Sequence, residues 1–189
     1  MVHDISRRAV IAGATLVPVA ALKAAAPAPQ TALSTGQRQT LDAFVDRLVP
    51  KDELGPGALE MGAAQYIDLA LADALAAEKS AIVEGLEATD ALARKRFDAP
   101  LAELPPEKKD EVLTALENGD ARNFFLRLRR LTLEGMFGDP YYGGNRNFAG
   151  WDLIRYPGPR LAVAAEDQMM TPGKPLRHSA YGASAGHGQ

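Results

Sequence analysis

The chain has 189 residues, of which 47% are hydrophobic and 24% charged, as is typical of one globular domain and not of a disordered protein. Its formal net charge of −3 at pH 7 argues against a nucleic-acid-binding surface. It contains no cysteine, which excludes disulfides, thiolate metal sites, a cysteine nucleophile and covalent haem attachment in this chain.

Residues 1–26 have the features of an export signal. Ser6, Arg7 and Arg8 precede an apolar run at residues 9–22, which is followed by Lys23 and three alanines at residues 24–26. This order is that of a signal peptide, and the paired arginines indicate the twin-arginine type. Because the run is shorter than the roughly 20 residues that span a bilayer, a permanent anchor is disfavoured. We therefore expect a periplasmic protein, exported by a route that carries folded cargo, with a linker at residues 27–32.

The remainder, residues 33–158, is predicted to be an all-α domain, a small bundle of about five helices. Ser34 and Gln37 have capping-box spacing, and Pro50 stops the helix that they begin. Apolar residues at helical spacing predict further helices, and no alternating run predicts a strand. The last helix is apolar over more than half its circumference, so we expect it to be central. The predicted helices after the first cover about residues 58–77, 78–97, 106–118 and 121–137.

Residues 138–158 form a loop region rich in glycine, aromatic and amide residues, in which only residues 151–154 are predicted to make a helical turn. From residue 159 to residue 189 the chain is polar and contains several glycines and prolines. We expect this tail to be extended and to become ordered only against a partner.

Sequence motifs for chemistry are weak. Gly182–Gly186 matches the pattern around a nucleophilic serine, Ser184, but lacks the strand and helix that expose such a serine. Three scattered histidines do not have metal-ligand spacing, and no nucleotide-binding loop is present. We expect no catalytic, cofactor-binding or metal-binding residue here. The arginines of the last helix are interpreted as a partner-facing or salt-bridged surface: Arg122, Arg127, Arg129 and Arg130.

One part of the chain is highly specific: residues 131–146 (LTLEGMFGDPYYGGNR), then Gly150-Trp151 and Tyr156-Pro157-Gly158. It closely resembles the gluconate 2-dehydrogenase subunit 3 family, and residues 41–50, 55–58 and 66–68 match more weakly. One departure is Arg155, which stands where we expect a glycine.

The resemblance implies a non-catalytic small subunit of a membrane-associated, FAD-dependent sugar or polyol dehydrogenase, of the gluconate, glucose or fructose type. It implies that a large subunit binds FAD and oxidises the substrate, and that a multihaem cytochrome c subunit passes the electrons on. The small subunit would bind no cofactor, carry the export signal and support maturation and stability of the flavoprotein. The complex would lie at the inner membrane.

The same loop region is the predicted partner interface. Tyrosine and tryptophan offer large contact areas at low entropic cost, and amide and guanidinium groups add directional bonds. The alternative is that the loop covers the bundle's own core, with Trp151 as its plug. Two other functions remain open, a stand-alone exported hydrolase using Ser184 and a general periplasmic chaperone. The predicted interface residues are Tyr141, Tyr142, Asn145, Arg146, Trp151 and Tyr156.

Overall fold

A computed structural model describes residues 31–160, 162, 165–168 and 175–182. Within these residues the chain is all-α and has no β-strand, as predicted. The predicted export signal at Ser6, Arg7 and Arg8 lies outside the described residues, as does Ser184. No helix in the described part is long and apolar enough to cross a bilayer. The six helices are α1 (Thr35–Leu48), α2 (Ala63–Ala72), α3 (Lys79–Phe97), α4 (Pro106–Asn118), α5 (Arg122–Phe137) and the short α6 (Ala149–Leu153).

The helix ends follow local sequence signals. The Ser34 hydroxyl accepts from the Gln37 amide at 3.4 Å, and the Gln37 side chain accepts from the Ser34 amide at 2.9 Å. This reciprocal pair satisfies two amides that have no partner within α1. Pro106 occupies the first turn of α4, where its missing N–H costs nothing. These boundaries confirm the predictions for α1 and α4.

The predicted second helix was too long, because residues 58–77 contain only the helix α2. Gly62 has a φ of 83°, a left-handed conformation that ends any regular helix before residue 63. At the other end, Asp73 leaves helical geometry, and a short 3₁₀ turn at Ala76–Glu78 leads into α3. The alanine-rich sequence obscured both breaks, because alanine has the highest helix propensity of all residues.

Helix α5 is central, as its apolar circumference predicted, and it packs against each of the first four helices and α6. Its buried residues Phe125, Leu128 and Leu131 contact the core formed by the other helices. The closest crossing is with α2, where a Cβ on Gly135 would lie only 2.8 Å from the Cα of Ala63. Only a glycine permits this approach of the two backbones, so the position of α5 on α2 is narrowly defined.

A buried carboxylate anchors the beginning of the described chain. Asp68 on α2 is 2% exposed and accepts hydrogen bonds from the amides of Ala32 at 2.7 Å and Leu33 at 3.0 Å. Arg38 of α1 donates to its other oxygen at 3.3 Å. Because a buried charge is tolerated only when it is bonded and paired, these contacts hold the entry to α1 against α2.

Candidate functional site

Residues 138–158, here called the glycine–aromatic segment, pack on the C-terminal end of α5. The last carbonyl groups of a helix have no partner within it. Here the backbone N–H of Asn145 donates to the carbonyl of Gly135 at 2.7 Å. The indole N–H of Trp151 donates to the carbonyl of Phe137 at 2.9 Å. The Asn145 side chain donates to the carbonyl of Gly138 at 2.9 Å. The segment therefore takes its shape from the end of the central helix.

Two glycines allow this close packing. A Cβ on Gly144 would collide with the carbonyl of Gly135, and a Cβ on Gly150 would collide with that of Met136. Neither obstacle can move aside, because both are backbone atoms of a packed helix. The glycines of this segment thus bring two stretches of backbone into direct contact.

Asn145 requires a correction to the predicted interface, because it is fully buried. Its side-chain oxygen accepts from the Gly150 amide at 2.8 Å while its amide nitrogen bonds to Gly138, so both ends are occupied within the chain. Its φ of 44° is in the left-handed region, which asparagine tolerates better than most residues. Asn145 is an internal bracket that holds the two halves of the segment together.

Trp151 is also buried, with 5% of its surface exposed, so it cannot present its ring to a partner. Its ring contacts those of Phe148 and Tyr156, with centroids 5.4 Å and 5.0 Å away. Together with the indole bond to Phe137, these contacts fit the alternative of a plug over the bundle. The sequence left this choice open, and burial decides it.

The remaining predicted interface residues reach the surface: Tyr141, Tyr142, Arg146 and Tyr156. The rings of Tyr141 and Tyr142 meet edge to face with centroids 5.3 Å apart, and Tyr142 is 48% exposed. The side chain of Arg146 crosses Gly62 and donates to Gln65, while its backbone amide donates to the carbonyl of Met61 at 2.9 Å. Arg146 therefore fastens the segment to the start of α2 and also lies at the surface.

Sequence reasoning missed an apolar extension of this surface. Leu153 and Ile154, at the end of α6, are exposed, Ile154 to 53%. Leu153 lies beside Gly55, and the next residue back in that turn, Leu54, is exposed as well. Arg155 follows with a φ of 55°, which is a glycine-type conformation, so the expected glycine geometry is kept although the residue differs. The sequence shows that Leu153 and Ile154 are large and apolar, but only the structure shows that they are exposed.

One described part of the tail, residues 175–182, lies against the glycine–aromatic segment. These residues contact Asn147, Asp152 and Asp139 of the same chain, whereas the sequence led us to expect order only against a partner. The Tyr181 ring contacts those of Tyr141 and Tyr142, with centroids 5.3 Å and 5.6 Å away. The pKa of Tyr142 is raised by its hydrogen bond with Tyr181.

The arginines of α5 fit the salt-bridged interpretation in two cases. Arg127 pairs with Glu78, and Arg130 pairs with Glu134 at 2.7 Å. Glu134 also accepts from the hydroxyl of Tyr66 at 3.1 Å, and burial, with the nearby Glu134 charge, raises the pKa of Tyr66 to about 12. Within the described ranges, no group of three or more His, Cys, Asp or Glu residues is placed to hold a metal ion.

In a comparison with known protein families, residues 35–158 match the model for gluconate 2-dehydrogenase subunit 3. The match covers most of the helical domain and the whole glycine–aromatic segment. Searches of curated proteins and of solved structures give no significant match. The chain belongs to the gluconate 2-dehydrogenase subunit 3 family.

Proposed function

We propose that this chain is the non-catalytic small subunit of an exported, FAD-dependent sugar or polyol dehydrogenase, of the gluconate, glucose or fructose type. In this proposal it binds the flavoprotein subunit and supports its export, maturation and stability. FAD is held by that partner, and haem c by a multihaem cytochrome subunit that takes up the electrons. The complex lies in the periplasm at the inner membrane, and Ser6, Arg7 and Arg8 direct its export. Family membership, which implies a dehydrogenase complex, supports this assignment.

The observation that carries the proposal is the exposure of aromatic and aliphatic side chains along the glycine–aromatic segment, among them the contacting rings of Tyr141 and Tyr142. Tyr142, Ile154 and Tyr156 are each more than 40% exposed, although burying them would be favourable. Clustered exposed apolar groups usually mark a surface that contacts another protein. The backbone beneath them is held by buried hydrogen bonds, so little conformational entropy is lost when a partner binds.

A co-purification experiment tests this interface. The chain is co-expressed with the flavoprotein dehydrogenase subunit of the same organism and captured through an affinity tag. The double variant Tyr142→Ala, Ile154→Asp is expected to retain at least about tenfold less flavoprotein, because it removes exposed anchors from the proposed contact. Circular dichroism should remain unchanged, since neither side chain belongs to the buried core.

The matched control is Leu126→Asp, which alters an exposed apolar residue on α5 outside the segment. It should leave flavoprotein recovery as in the unmodified chain. Equal recovery with the double variant and the control would contradict the proposed interface. Capture of many unrelated exported proteins would instead favour the general chaperone, and one stoichiometric flavin-containing partner would support the small-subunit function.

Joint export is tested separately by Arg7→Lys with Arg8→Lys. Both this chain and the flavoprotein subunit should remain in the cytoplasm, because the signal on one would serve both. Normal periplasmic flavoprotein activity in that strain would refute joint export while leaving the binding interface intact.

A further inference from the structure

Residues 175–182, here called the C-terminal strap, bind the glycine–aromatic segment through a series of polar contacts. Arg177 donates to the Asp152 carboxylate at 2.7 Å and to the carbonyl of Asn147 at 3.1 Å. Farther along, the Ala180 amide donates to the carboxylate of Asp139 at 2.9 Å. Near its beginning, the Leu176 amide donates to the carbonyl of Pro157. In each of these contacts the strap is the donor and the segment is the acceptor.

The aromatic end of the strap packs against the tyrosine pair that the proposed function assigns to the partner, and leaves part of both rings exposed. The Tyr181 ring lies within contact distance of both Tyr141 and Tyr142 and is itself 61% exposed. One part of the same chain therefore occupies a surface that has aromatic rings and hydrogen-bond acceptors. This contact shows which chemistry the surface accepts: an aromatic ring, a guanidinium and backbone amides.

The strap is attached mainly by exposed residues, and the partly buried Leu176 also packs on the backbone of Gly158. The side chains of Arg177 and Asp152 are 56% and 41% exposed, and exposed ion pairs stabilise a fold very little. Every residue of the hydrophobic core among the described residues precedes the strap in the chain. The contacts of the strap can therefore open without disturbing the bundle, as is typical of local unfolding at the low end of stability.

We infer that the C-terminal strap is a displaceable cover over the partner-binding face of the glycine–aromatic segment. This inference rests on the proposed function and adds that the strap and the flavoprotein subunit compete for the same surface. In the free subunit the Tyr181 ring of the strap occupies one side of the Tyr141 and Tyr142 rings, and on assembly the flavoprotein subunit replaces it. The replacing surface is a basic stretch that carries an aromatic residue, since it must satisfy Asp139 and Asp152 and pack on the two rings.

Competition lowers the apparent affinity for the partner by the fraction of molecules in which the strap is closed. A strap that is closed in nine molecules of ten would weaken binding about tenfold, and releasing it would restore that factor. The double variant Arg177→Ala, Tyr181→Ala releases the strap without changing the surface beneath it. We expect it to bind the purified flavoprotein subunit about tenfold more tightly than the unmodified chain, as measured by titration calorimetry.

The control for this release is Arg94→Ala, which removes a similarly exposed ion pair, with Asp90 on α3. Its affinity should equal that of the unmodified chain. A locked strap supplies the opposite perturbation: Pro157→Cys with Leu176→Cys, joined by a short bismaleimide reagent. Because the chain has no cysteine of its own, the reagent can join only these two positions. The joined form should bind at least about tenfold more weakly than the same variant before joining.

Weaker binding by the released variant, or equal binding by the joined and unjoined forms, would overturn the inference and make the strap a fixed part of the docking surface. Failure of every form, the unmodified chain included, to bind the flavoprotein would instead refute the proposed function. Amide hydrogen exchange at Leu176 and Ala180 in the isolated subunit measures opening of the strap independently of the flavoprotein. Exchange should be slowest in the joined form and fastest in the released variant, and equal rates would refute the cover itself.

Discussion

Replacing Asn145 by alanine removes the bracket that joins the two halves of the glycine–aromatic segment. The carbonyl of Gly138 loses its donor and the amide of Gly150 loses its acceptor, both at a fully buried residue. An unsatisfied buried group costs roughly 1–3 kcal/mol. Alanine is also less tolerant than asparagine of the left-handed backbone, where an ordinary residue loses roughly 1 kcal/mol. We expect the free energy of unfolding to fall by about 3 kcal/mol.

The assay uses the only tryptophan of the chain, Trp151, which is buried in this segment. In a urea titration its emission should shift to longer wavelength at a lower urea concentration than the loss of helical circular dichroism. The two transitions separate because the segment can open while the bundle stays folded. In the unmodified chain the tryptophan emission and the dichroism should change together.

Two control variants divide the effect into its parts. Asn145→Gly keeps the left-handed backbone accessible and loses only the two hydrogen bonds, so about 2 kcal/mol should be lost. Asn147→Ala alters an exposed residue with a φ of 55°, where only the backbone preference of about 1 kcal/mol is at stake. If Asn145→Ala were no more destabilising than Asn147→Ala, the two side-chain hydrogen bonds of Asn145 would contribute no stability, which would refute this prediction.

Further predictions concern the backbone, a buried phenol and the buried carboxylate. Gly150→Ala should cost more than about 2 kcal/mol in chemical denaturation, since its new methyl group would collide with a helix carbonyl. Arg155→Gly should be neutral or raise the melting temperature slightly, because it relieves a left-handed conformation that costs about 1 kcal/mol. The folded chain favours the neutral form of Tyr66, because its pKa is raised to about 12. This contribution to the free energy of unfolding is complete below pH 10 and is lost by about pH 12. Relative to Tyr66→Phe, the unmodified chain should lose about 1–2 kcal/mol of unfolding free energy over that interval. Asp68→Asn should cost about 2 kcal/mol in urea unfolding, since two buried amides lose a charged acceptor; an unchanged midpoint would show that the chain entry contributes no stability.

The helices and the position of α5 were predictable because their signals are local. The capping pair at Ser34 and Gln37 acts over three residues, and the apolar circumference of α5 is read directly from spacing. The second helix was predicted poorly because the neighbouring alanines favour a helix, and because the contact of Arg146 with Gly62 joins residues far apart in the chain. Such a long-range contact leaves no trace in the local pattern.

The glycine–aromatic segment shows the same division. Its glycine content correctly excluded a long regular helix, although short helical turns and α6 lie within it. The side chain of Asn145 was assigned to the interface because amide groups supply directional bonds. A better signal was the combination of an asparagine with nearby glycines, which is common where the backbone is left-handed. The bonds of Asp68 join residues more than thirty positions apart, so only the fold reveals them. The unusual acid within an otherwise apolar helix was the available hint.

The tight crossing of α2 and α5 at Gly135 links the packing of the bundle to the shape of the proposed partner surface. The same glycine that touches Ala63 offers its carbonyl to Asn145, so one residue belongs both to the helix crossing and to the foundation of the aromatic surface. An immature molecule in which these helices have not yet met lacks the platform on which Tyr141 and Ile154 are displayed. A flavoprotein subunit that binds this surface would then bind only molecules in which α2 and α5 are already packed together, so misfolded molecules would be left out of the complex.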